Sequence, residues 1–432
     1  MGGSRGLHYA SLLLMLLLIA AIALAAVNTV LEQRRAAAAA AAAAAAKIAR
    51  RTPDALAAAR QVLSAWQYPN VFNASEQKPQ AGWLQMANVR CLVRVSYSNA
   101  TRKLVSGPVL APCAHVSSRL RPMLLALELG LSRHGDALKI ESNFSFYLDL
   151  IDWAEEVQTD LPVVGMTRLG AAKTTLVLPD VYMYGAAVWE HTHDESAWHL
   201  AELFSRLYYP PGGNLTPPAW GDKPARLVYR GSCIPTRMQG HDIGSPEGWL
   251  RAGACTALTG DAAQTENASA AIDFGLTVDG LCTTDEGWKT GGLGVMCGQC
   301  RRCPPTGQKI ERGETSVNKF QLVIDGFGVP YDSTWTKLSS RSTVLWLTPH
   351  ADGELNWLPW YASVLTPGEH YIPTSAADID AIVRRCLAND AACRAIAEAA
   401  YETMQTYASP DIGLAYGAVL MEHVWSMTRA AR

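Results

Sequence analysis

The chain has 432 residues, of which 49% are hydrophobic and 18% charged, and its formal net charge is −2 at pH 7. This length has room for two domains of ordinary size with extensions, and the apolar content fits a well-packed globular body. The nearly balanced charge argues against nucleic acid as a partner, because binding a polyanion requires a basic surface.

The N-terminal segment is almost wholly apolar between residues 9 and 30. A run of about 20 apolar residues is long enough to span a bilayer, so residues 1–31 are predicted to form a transmembrane signal anchor. A cleaved signal peptide is the alternative, because Ala-x-Ala sites lie near the end of the run. Basic residues after the run outnumber Arg5 before it, and by themselves they favour a cytoplasmic C-terminal side.

Sequons and cysteines favour the opposite orientation, with the body of the chain in the secretory lumen. The ten cysteines are even in number, and the last five residues carry no endoplasmic reticulum retention signal. We therefore predict a single-pass type II protein of the Golgi membrane. The lumen of the endoplasmic reticulum and secretion are the alternatives. The five sequons begin at Asn73, Asn99, Asn143, Asn214 and Asn267.

An alanine-rich stalk and a helix are predicted for residues 32–66. Residues 36–46 are eleven alanines, which favour a helix but bury little area, and an amphipathic helix with Thr52 as its cap follows. Residues 67–218 are predicted to form a first α/β domain. Its predicted strands are 91–95, 144–151, 161–166 and 174–178, and its predicted helices are 121–131 and 194–206.

Residues 219–432 are predicted to form a second α/β domain. Its predicted strands are 226–229, 320–324 and 343–347, with a helix-like segment ending at Ser342, two helices in 374–407 and one in 411–429. The glycine- and cysteine-rich residues 233–315 are interpreted as a disulfide-stapled insertion. Alternating strands and helices in two blocks predict an α/β fold of two Rossmann-like halves that face a cleft.

Asp152 follows a buried apolar strand at a position suited to a catalytic base. The carboxyl ends of strands line the ligand crevice of open α/β sheets, and a general base must be held at such a rim. Asp149 is the rival residue, although its side chain is expected on the other face of the strand. The structural alternative for Asp152 is that it caps the turn that follows the strand.

Two short motifs are candidates for a nucleotide site. Arg230-Gly231-Ser232 follows a strand and offers backbone amides, a guanidinium and a hydroxyl to a diphosphate. The loop Asp325-Gly326-Phe327-Gly328 allows a second close approach of backbone to ligand, with Ser333 and Lys337 nearby. Ordinary turns at strand ends are the structural alternative for both motifs.

No metal site is predicted. Cys297, Cys300 and Cys303 have zinc-like spacing, but in an oxidising lumen they are better interpreted as part of a disulfide framework. Cys386 and Cys393 are predicted to pair with each other. The segment 191–194, which holds two histidines and an aspartate, is interpreted as a surface cluster. Asp378-Ile379-Asp380 is interpreted as a helix start, where acidic residues suit the dipole.

In this order and spacing, residues from about Phe144 to Trp425 resemble the protein O-glucosyltransferase family, which includes fungal capsule-associated xylosyltransferases and lipopolysaccharide-modifying enzymes. The matching segments are the strand ending in Asp152-Trp153, Leu161-Pro162-Val163, Tyr229-Arg230-Gly231-Ser232, Asp325-Gly326-Phe327-Gly328, Ser342-Thr343-Val344-Leu345 and His370-Tyr371-Ile372-Pro373.

The resemblance implies a GT-B fold and an inverting, metal-independent glycosyltransferase that needs no cofactor beyond its UDP-sugar co-substrate. It implies UDP-glucose or UDP-xylose as donor, a protein or glycan hydroxyl as acceptor, Asp152 as base, and Arg230 to Ser232 as phosphate ligands. A catalytically inactive lumenal glycan-binding glycoprotein is the alternative.

Three departures from the family pattern bear on donor choice and activity. The family often has an Arg shortly after the glycine loop, where this chain offers Lys337, and Lys does not reproduce a bidentate grip. Relatives tend to have a Glu in the aromatic patch at 356–361, which here is absent unless Glu354 serves. The insertion at 233–315 is also longer than expected.

Overall fold

The computed structural model divides the chain into two compact units, Met1–Arg51 and Thr52–Arg432, and every described residue lies in the second. Within the described part of the chain, no helix is long and apolar enough to cross a membrane. The predicted anchor and the alanine stalk lie outside it. The described residues are 54–66, 91–109, 116–150, 161–169, 175–195, 197, 217–232, 250–259, 271–277, 310, 315–325, 330–348, 355 and 357–430.

These residues form a mixed α/β fold with two five-stranded sheets and helices packed around them. The strands are β1 Leu92–Ser98, β2 Lys103–Val109, β3 Phe144–Asp149, β4 Val163–Gly165, β5 Arg168–Leu169, β6 Thr175–Val177, β7 Leu227–Ser232, β8 Ile272–Thr277, β9 Phe320–Ile324, β10 Thr343–Leu347, β11 Trp357–Leu358 and β12 Ile372–Thr374. The helices are α1 Ala55–Ala65, α2 Arg121–His134, α3 Val181–Thr192, α4 Leu250–Thr259, α5 Tyr331–Leu338, α6 Ile379–Ala388, α7 Asp390–Tyr407 and α8 Pro410–Ala430.

The first sheet has the strand order β2-β1-β3-β4-β6. β3, β4 and β6 are parallel, whereas β1 runs antiparallel to both β2 and β3. The predicted strands of this region are confirmed, but β2 was not predicted. Of its seven residues only Leu104 is buried, so it has no apolar alternation from which a strand could be recognised.

Helices α1, α2, α3 and α8 pack together beside the first sheet, so the last helix of the chain shares the core of strands encoded far earlier. Asp54 caps α1 by accepting the Leu56 N–H (3.0 Å), which places the cap two residues after the predicted Thr52. Helix α3 was missed, because it is buried on most sides and lacks a polar face. The helix predicted at 194–206 lies mostly outside the described residues.

Close contact between α2 and α8 depends on Gly130. A Cβ atom at this position would lie 2.5 Å from the Leu414 carbonyl oxygen, which belongs to the backbone of α8. Gly417 of α8 allows α3 to pack equally closely, because a Cβ there would clash with the hydroxyl of Tyr184 on α3. Two glycines therefore allow three helices to approach more closely than any side chain would permit.

The second sheet is parallel throughout, with strand order β12-β10-β9-β7-β8. Its first strand in the chain, β7, lies between the second and third, so the order corresponds to 2-1-3-4-5 of doubly wound sheets, with its switch point between β7 and β9. The predicted strands at 226–229, 320–324 and 343–347 are confirmed, as are the three C-terminal helices.

The interpretation of residues 233–315 as an insertion outside the core is wrong in part. This range contributes β8, which pairs with β7 along six residues, and α4, which contacts β8. Asp273 and Gly275 interrupt the apolar run of β8, so the hydrophobic pattern of the sequence does not predict this strand.

Disulfides are present in the described part of the chain. The predicted pairing of Cys386 with Cys393 is confirmed, with a Cα–Cα distance of 5.5 Å across the junction of α6 and α7. Cys91 and Cys255 are also disulfide-bonded, and none of the described cysteines is a free thiol. Cys297, Cys300 and Cys303 lie outside the described residues.

The amino ends of β9 and β10 are tied together by the buried Lys223. Its ammonium donates to the carbonyls of Ser316 and Ser340 (both 2.7 Å) and to the Ser342 hydroxyl (3.0 Å). Burial lowers the pKa of Lys223 to about 7. This tie closes the amino edge of the sheet, at the opposite end from the crevice described next.

Candidate functional site

The candidate site is the carboxyl edge of the second sheet at the switch point between β7 and β9. In open α/β sheets, ligands bind in the crevice outside the carboxyl ends of the strands at such a point. Arg230-Gly231-Ser232 forms the end of β7, and Asp325 is the first residue after β9. The fold therefore brings two of the sequence-predicted motifs to the two strands that flank the crevice. Gly326 and Gly328 lie outside the described residues.

The crevice begins within the sheet, because β7 and β9 separate early. Their pairing is confined to Leu227 and Phe320, whereas β7 and β8 stay paired to the end of both strands. On β9 the Leu322 carbonyl accepts a hydrogen bond from Lys337 (2.7 Å), and the Ile324 carbonyl accepts one from Arg251 (3.2 Å). Side chains thus take the place of a neighbouring strand.

Arg230 is engaged by a carboxylate of the same sheet. Its guanidinium donates to the Asp273 carboxylate (2.6 Å), to the Asp273 carbonyl (3.1 Å) and to the Tyr229 carbonyl (2.8 Å). The side chain of Arg230 is 10% exposed and that of Asp273 is 46% exposed. The pair of Arg230 and Asp273 carries no net charge. A bound phosphate would therefore have to share Arg230 with Asp273 or displace the Asp273 carboxylate.

Gly231 has a structural explanation that requires no ligand. A Cβ at this position would clash with the hydroxyl end of Tyr229, two residues earlier on the same face of β7. The Tyr229 ring is in turn stacked on Phe274 with centroids 4.9 Å apart. The glycine therefore makes room for an aromatic pair in the core of the second sheet.

Asp325 is fully buried at the end of β9. Burial raises the pKa of its carboxyl to about 7, although the Trp346 indole, Arg251 and the Trp357 backbone favour the charged form. These neighbours come from β10, α4 and β11. Asp325 was predicted to contact a nucleotide, and the structure places its carboxyl among residues of these three elements.

The burial of Asp325 predicts a pH dependence of stability. Its pKa is about 7 in the folded state and 3.8 as the ordinary value, so the folded state holds the extra proton between these limits. The free energy of unfolding should therefore fall as pH rises through this window. We expect Asp325→Asn to remove about 3 kcal/mol of this decrease between pH 5 and pH 8. Urea unfolding of the wild type and the variant at pH 5 and pH 8 measures this difference. An equal fall in the free energy of unfolding in both proteins would contradict the prediction.

Ser333 and Lys337 both lie on α5, the helix that follows β9. Ser333 is half-buried, and Lys337 places its ammonium 5.4 Å from the centroid of the Tyr229 ring while it donates to Leu322. The ammonium predicted to complete the nucleotide site is therefore bonded to the backbone of β9. It still contributes a positive charge beside the switch point.

Segments that follow strands of the two sheets pair with each other as a short antiparallel ribbon. Strand β5 leaves the end of β4, strand β11 follows β10, and the two pair through Trp357 with Leu169 and Leu358 with Arg168. Asp152 lies outside the described residues, three positions beyond the end of β3 in the sequence. Its rival Asp149 is fully buried in β3 opposite Leu92, where it has no exposure to an acceptor.

The aromatic patch that follows β10 belongs to the core. Trp357, Trp360 and Tyr361 are at most 1% exposed, and the Trp360 carbonyl accepts a hydrogen bond from the Trp66 indole (2.7 Å). These rings therefore offer no platform to a sugar. Asp180 caps α3, and burial raises the pKa of its carboxyl to about 6. Burial raises the pKa of the Tyr361 hydroxyl, and the charge of Asp180 raises it further.

His370 also serves the fold. Its Nδ1 accepts the Thr366 N–H (2.8 Å), so in the neutral ring Nε2 carries the proton and donates to the Thr403 hydroxyl (3.0 Å). Burial lowers the pKa of this imidazole, which favours that neutral form. Tyr371 packs against Trp346 with centroids 5.3 Å apart. The segment from His370 to Pro373, which resembles the family motif, therefore connects β12 to β10 and α7 through these contacts.

Arg251, Asp273 and Asp180 were not identified as site residues from the sequence. Arg251 and Asp273 lie in the range that is interpreted from the sequence as an insertion. A strand assignment for 272–277 would have been the signal for Asp273. Among the described residues no group of three or more histidines, cysteines and carboxylates has the arrangement of a metal site.

Comparisons with known proteins add little to this geometry. No protein-family model matches the chain. A segment of 53 residues, 12% of this chain, is 42% identical to the uncharacterized protein 035R of Invertebrate iridescent virus 3. The match spans 5% of that viral protein, so it carries no statement about fold or activity here.

Proposed function

We propose that this protein is an inverting, metal-independent glycosyltransferase of GT-B architecture that moves glucose or xylose from a UDP-sugar to a hydroxyl of a protein or glycan. The observation that carries the proposal is the switch point of the second sheet. Arg230-Gly231-Ser232 and Asp325, predicted as nucleotide-binding from the sequence, end the two strands that flank it. The resemblance to the protein O-glucosyltransferase family supports the same activity.

The proposed chemistry uses one carboxylate and one crevice. Asp152 accepts the proton of the acceptor hydroxyl, and the oxygen attacks the anomeric carbon as the bond to UDP breaks. The configuration inverts because the attack comes from the face opposite the leaving group. UDP leaves with the bonding electrons, and positive side chains at the switch point, such as Lys337 and an Arg230 shared with Asp273, offset its charge.

The alternative is a lumenal protein of this fold that binds glycans without transferring sugar. The engagement of the two cations predicted for the nucleotide site favours it, because Arg230 is paired with Asp273 and Lys337 is bonded to the Leu322 carbonyl. In this alternative the two cations stabilise the crevice through their bonds to protein groups and bind no phosphate. The two functions differ in whether UDP is bound and released.

A lumenal location is part of the proposal, and two of the sequons are compatible with it. Asn99 and Asn143 adjoin each other, with the Asn99 N–H donating to the Asn143 side-chain oxygen (2.8 Å). Attachment of a glycan at the exposed Asn143 uses its amide nitrogen and leaves this bond intact. The Asn99 amide already donates to the Glu141 carbonyl (3.1 Å), so Asn143 is the better placed of the two.

A donor panel tests the proposal. The purified protein without its first 51 residues is incubated with UDP-glucose, UDP-xylose, UDP-galactose and UDP-N-acetylglucosamine, each with glycan and peptide acceptors. We expect UDP release with UDP-glucose or UDP-xylose that depends on the acceptor. Retention of glycans on an array without UDP release from any donor would replace this proposal with the binding protein.

A further inference from the structure

We propose that Lys337 and Arg251 are positioning residues that hold the crevice between β7 and β9 open for the diphosphate of the nucleotide. This inference rests on the proposed function, because it concerns how the donor site is shaped. Two cationic side chains occupy the hydrogen-bonding positions on β9 that a paired β7 would fill.

The direction of the β9 carbonyls supports this assignment. The Phe320 N–H donates to the Arg226 carbonyl, so this residue of β9 turns its backbone groups toward β7. Backbone direction alternates along a strand, and Leu322 and Ile324 therefore turn the same way. Their carbonyls point toward β7, which has already separated. An unsatisfied buried carbonyl would cost free energy, and this cost would draw the strands together.

Lys337 and Arg251 remove that cost from opposite sides. Lys337 comes from α5, which follows β9, and donates to the Leu322 carbonyl, whereas Arg251 begins in α4, which follows β7, and donates to the Ile324 carbonyl. Each cation satisfies one carbonyl along the split. The open form of the sheet edge is thereby stabilised before any ligand arrives, which preorganises the site.

Tyr229 contacts one of the two cations. Its ring, stacked on Phe274 at the β8 side, lies 5.4 Å from the Lys337 ammonium at the β9 side. This separation suits a cation–π contact, so β7 and β9 face each other across an aromatic ring and an ammonium. Removing the ammonium should let the strands close or shift, and the phosphate subsite would lose both shape and positive charge.

Substitutions at Lys337 test this inference, with UDP binding measured by isothermal titration calorimetry on the folded protein. Lys337→Met keeps the apolar stem and removes the donor, and we expect UDP affinity to fall at least about tenfold. Lys337→Arg retains a donor for the Leu322 carbonyl and should restore most of the affinity. Thermal melting of each variant confirms that it is folded before the titration.

The matched control is Lys319→Met. Lys319 also lies over an aromatic ring, 5.0 Å from the Trp220 centroid, and pairs with Asp390 (2.7 Å), but at the amino end of β9. We expect it to lower stability without changing UDP affinity. If Lys337→Met does not fold, Arg251→Lys is titrated in its place and should weaken UDP binding in the same direction.

The outcomes separate the two proposals. If the wild-type protein binds no UDP, the proposed function fails and this inference fails with it. If the wild type binds UDP and the folded Lys337→Met variant binds it equally well, only the positioning role is overturned. A loss of affinity in Lys319→Met equal to that in Lys337→Met would also overturn it, because the effect would then follow general destabilisation.

Discussion

Replacing Asp152 with Asn is expected to lower the rate of sugar transfer by about 10²- to 10⁴-fold while UDP binding stays within a factor of about two. The amide keeps the size of the carboxylate but cannot accept the proton of the acceptor hydroxyl. Affinity for UDP should persist because the nucleotide is assigned to the second sheet. Initial rates of acceptor-dependent UDP release, together with UDP titration of the same variant, measure both quantities.

Asp149→Asn is the control that tests the rival residue. Asp149 is fully buried in β3 opposite Leu92, so its substitution should act on stability and leave the turnover of folded protein nearly unchanged. A surface control is Asp136→Asn, whose carboxylate is 93% exposed and pairs with Arg102. Full activity in Asp152→Asn with loss in Asp149→Asn would transfer the role of base to Asp149.

Gly130→Ala is expected to lower the free energy of unfolding by about 1 to 3 kcal/mol, the usual cost of overpacking a rigid contact. The new methyl group would lie 2.5 Å from the Leu414 carbonyl oxygen and 3.4 Å from the Ala418 Cβ, so α2 and α8 would have to move apart. Alanine is the better helix former by about 1 kcal/mol, which offsets part of the loss. Urea unfolding monitored by circular dichroism measures the difference.

Gly253→Ala provides the matched comparison within another helix. Gly253 lies in α4, and no atom of the described residues lies within 4 Å of the position that its Cβ would take. Only the propensity gain remains, so this variant should be as stable as the wild type or more stable by about 1 kcal/mol. Equal destabilisation in both variants would show that close packing of α2 against α8 is not the cause.

Local sequence information was sufficient for the strands that are mostly apolar. Phe320–Ile324 and Thr343–Leu347 are buried at every position, and each has a single polar residue (Gln321 and Thr343), so their apolar content was enough to recognise them. The cystine of Cys386 and Cys393 was likewise accessible, because seven residues across a helix break bring two cysteines together. Motif order was enough to propose a nucleotide crevice, since residues after parallel strands must gather at one edge.

The same information failed where tertiary contacts decide the structure. Strand β8 contains Asp273 and Gly275 and is stabilised by pairing with β7, and α3 lacks a polar face because its neighbours cover it. The pairing of Arg230 with Asp273 joins residues 43 positions apart, which no local pattern signals. Membership of α8 in the core of the first sheet has the same origin.

By itself the sequence determined the α/β class, the apolar strands and the residues that end them, because these follow from backbone geometry and hydrophobic period. Tertiary structure alone decided the strand order, the separation of β7 from β9, and the partners that Arg230, Lys337 and Asp325 take. Those features depend on interactions between segments that are distant in the chain. A buried polar or charged group must find a partner in the folded protein, and the local sequence does not say which group that will be.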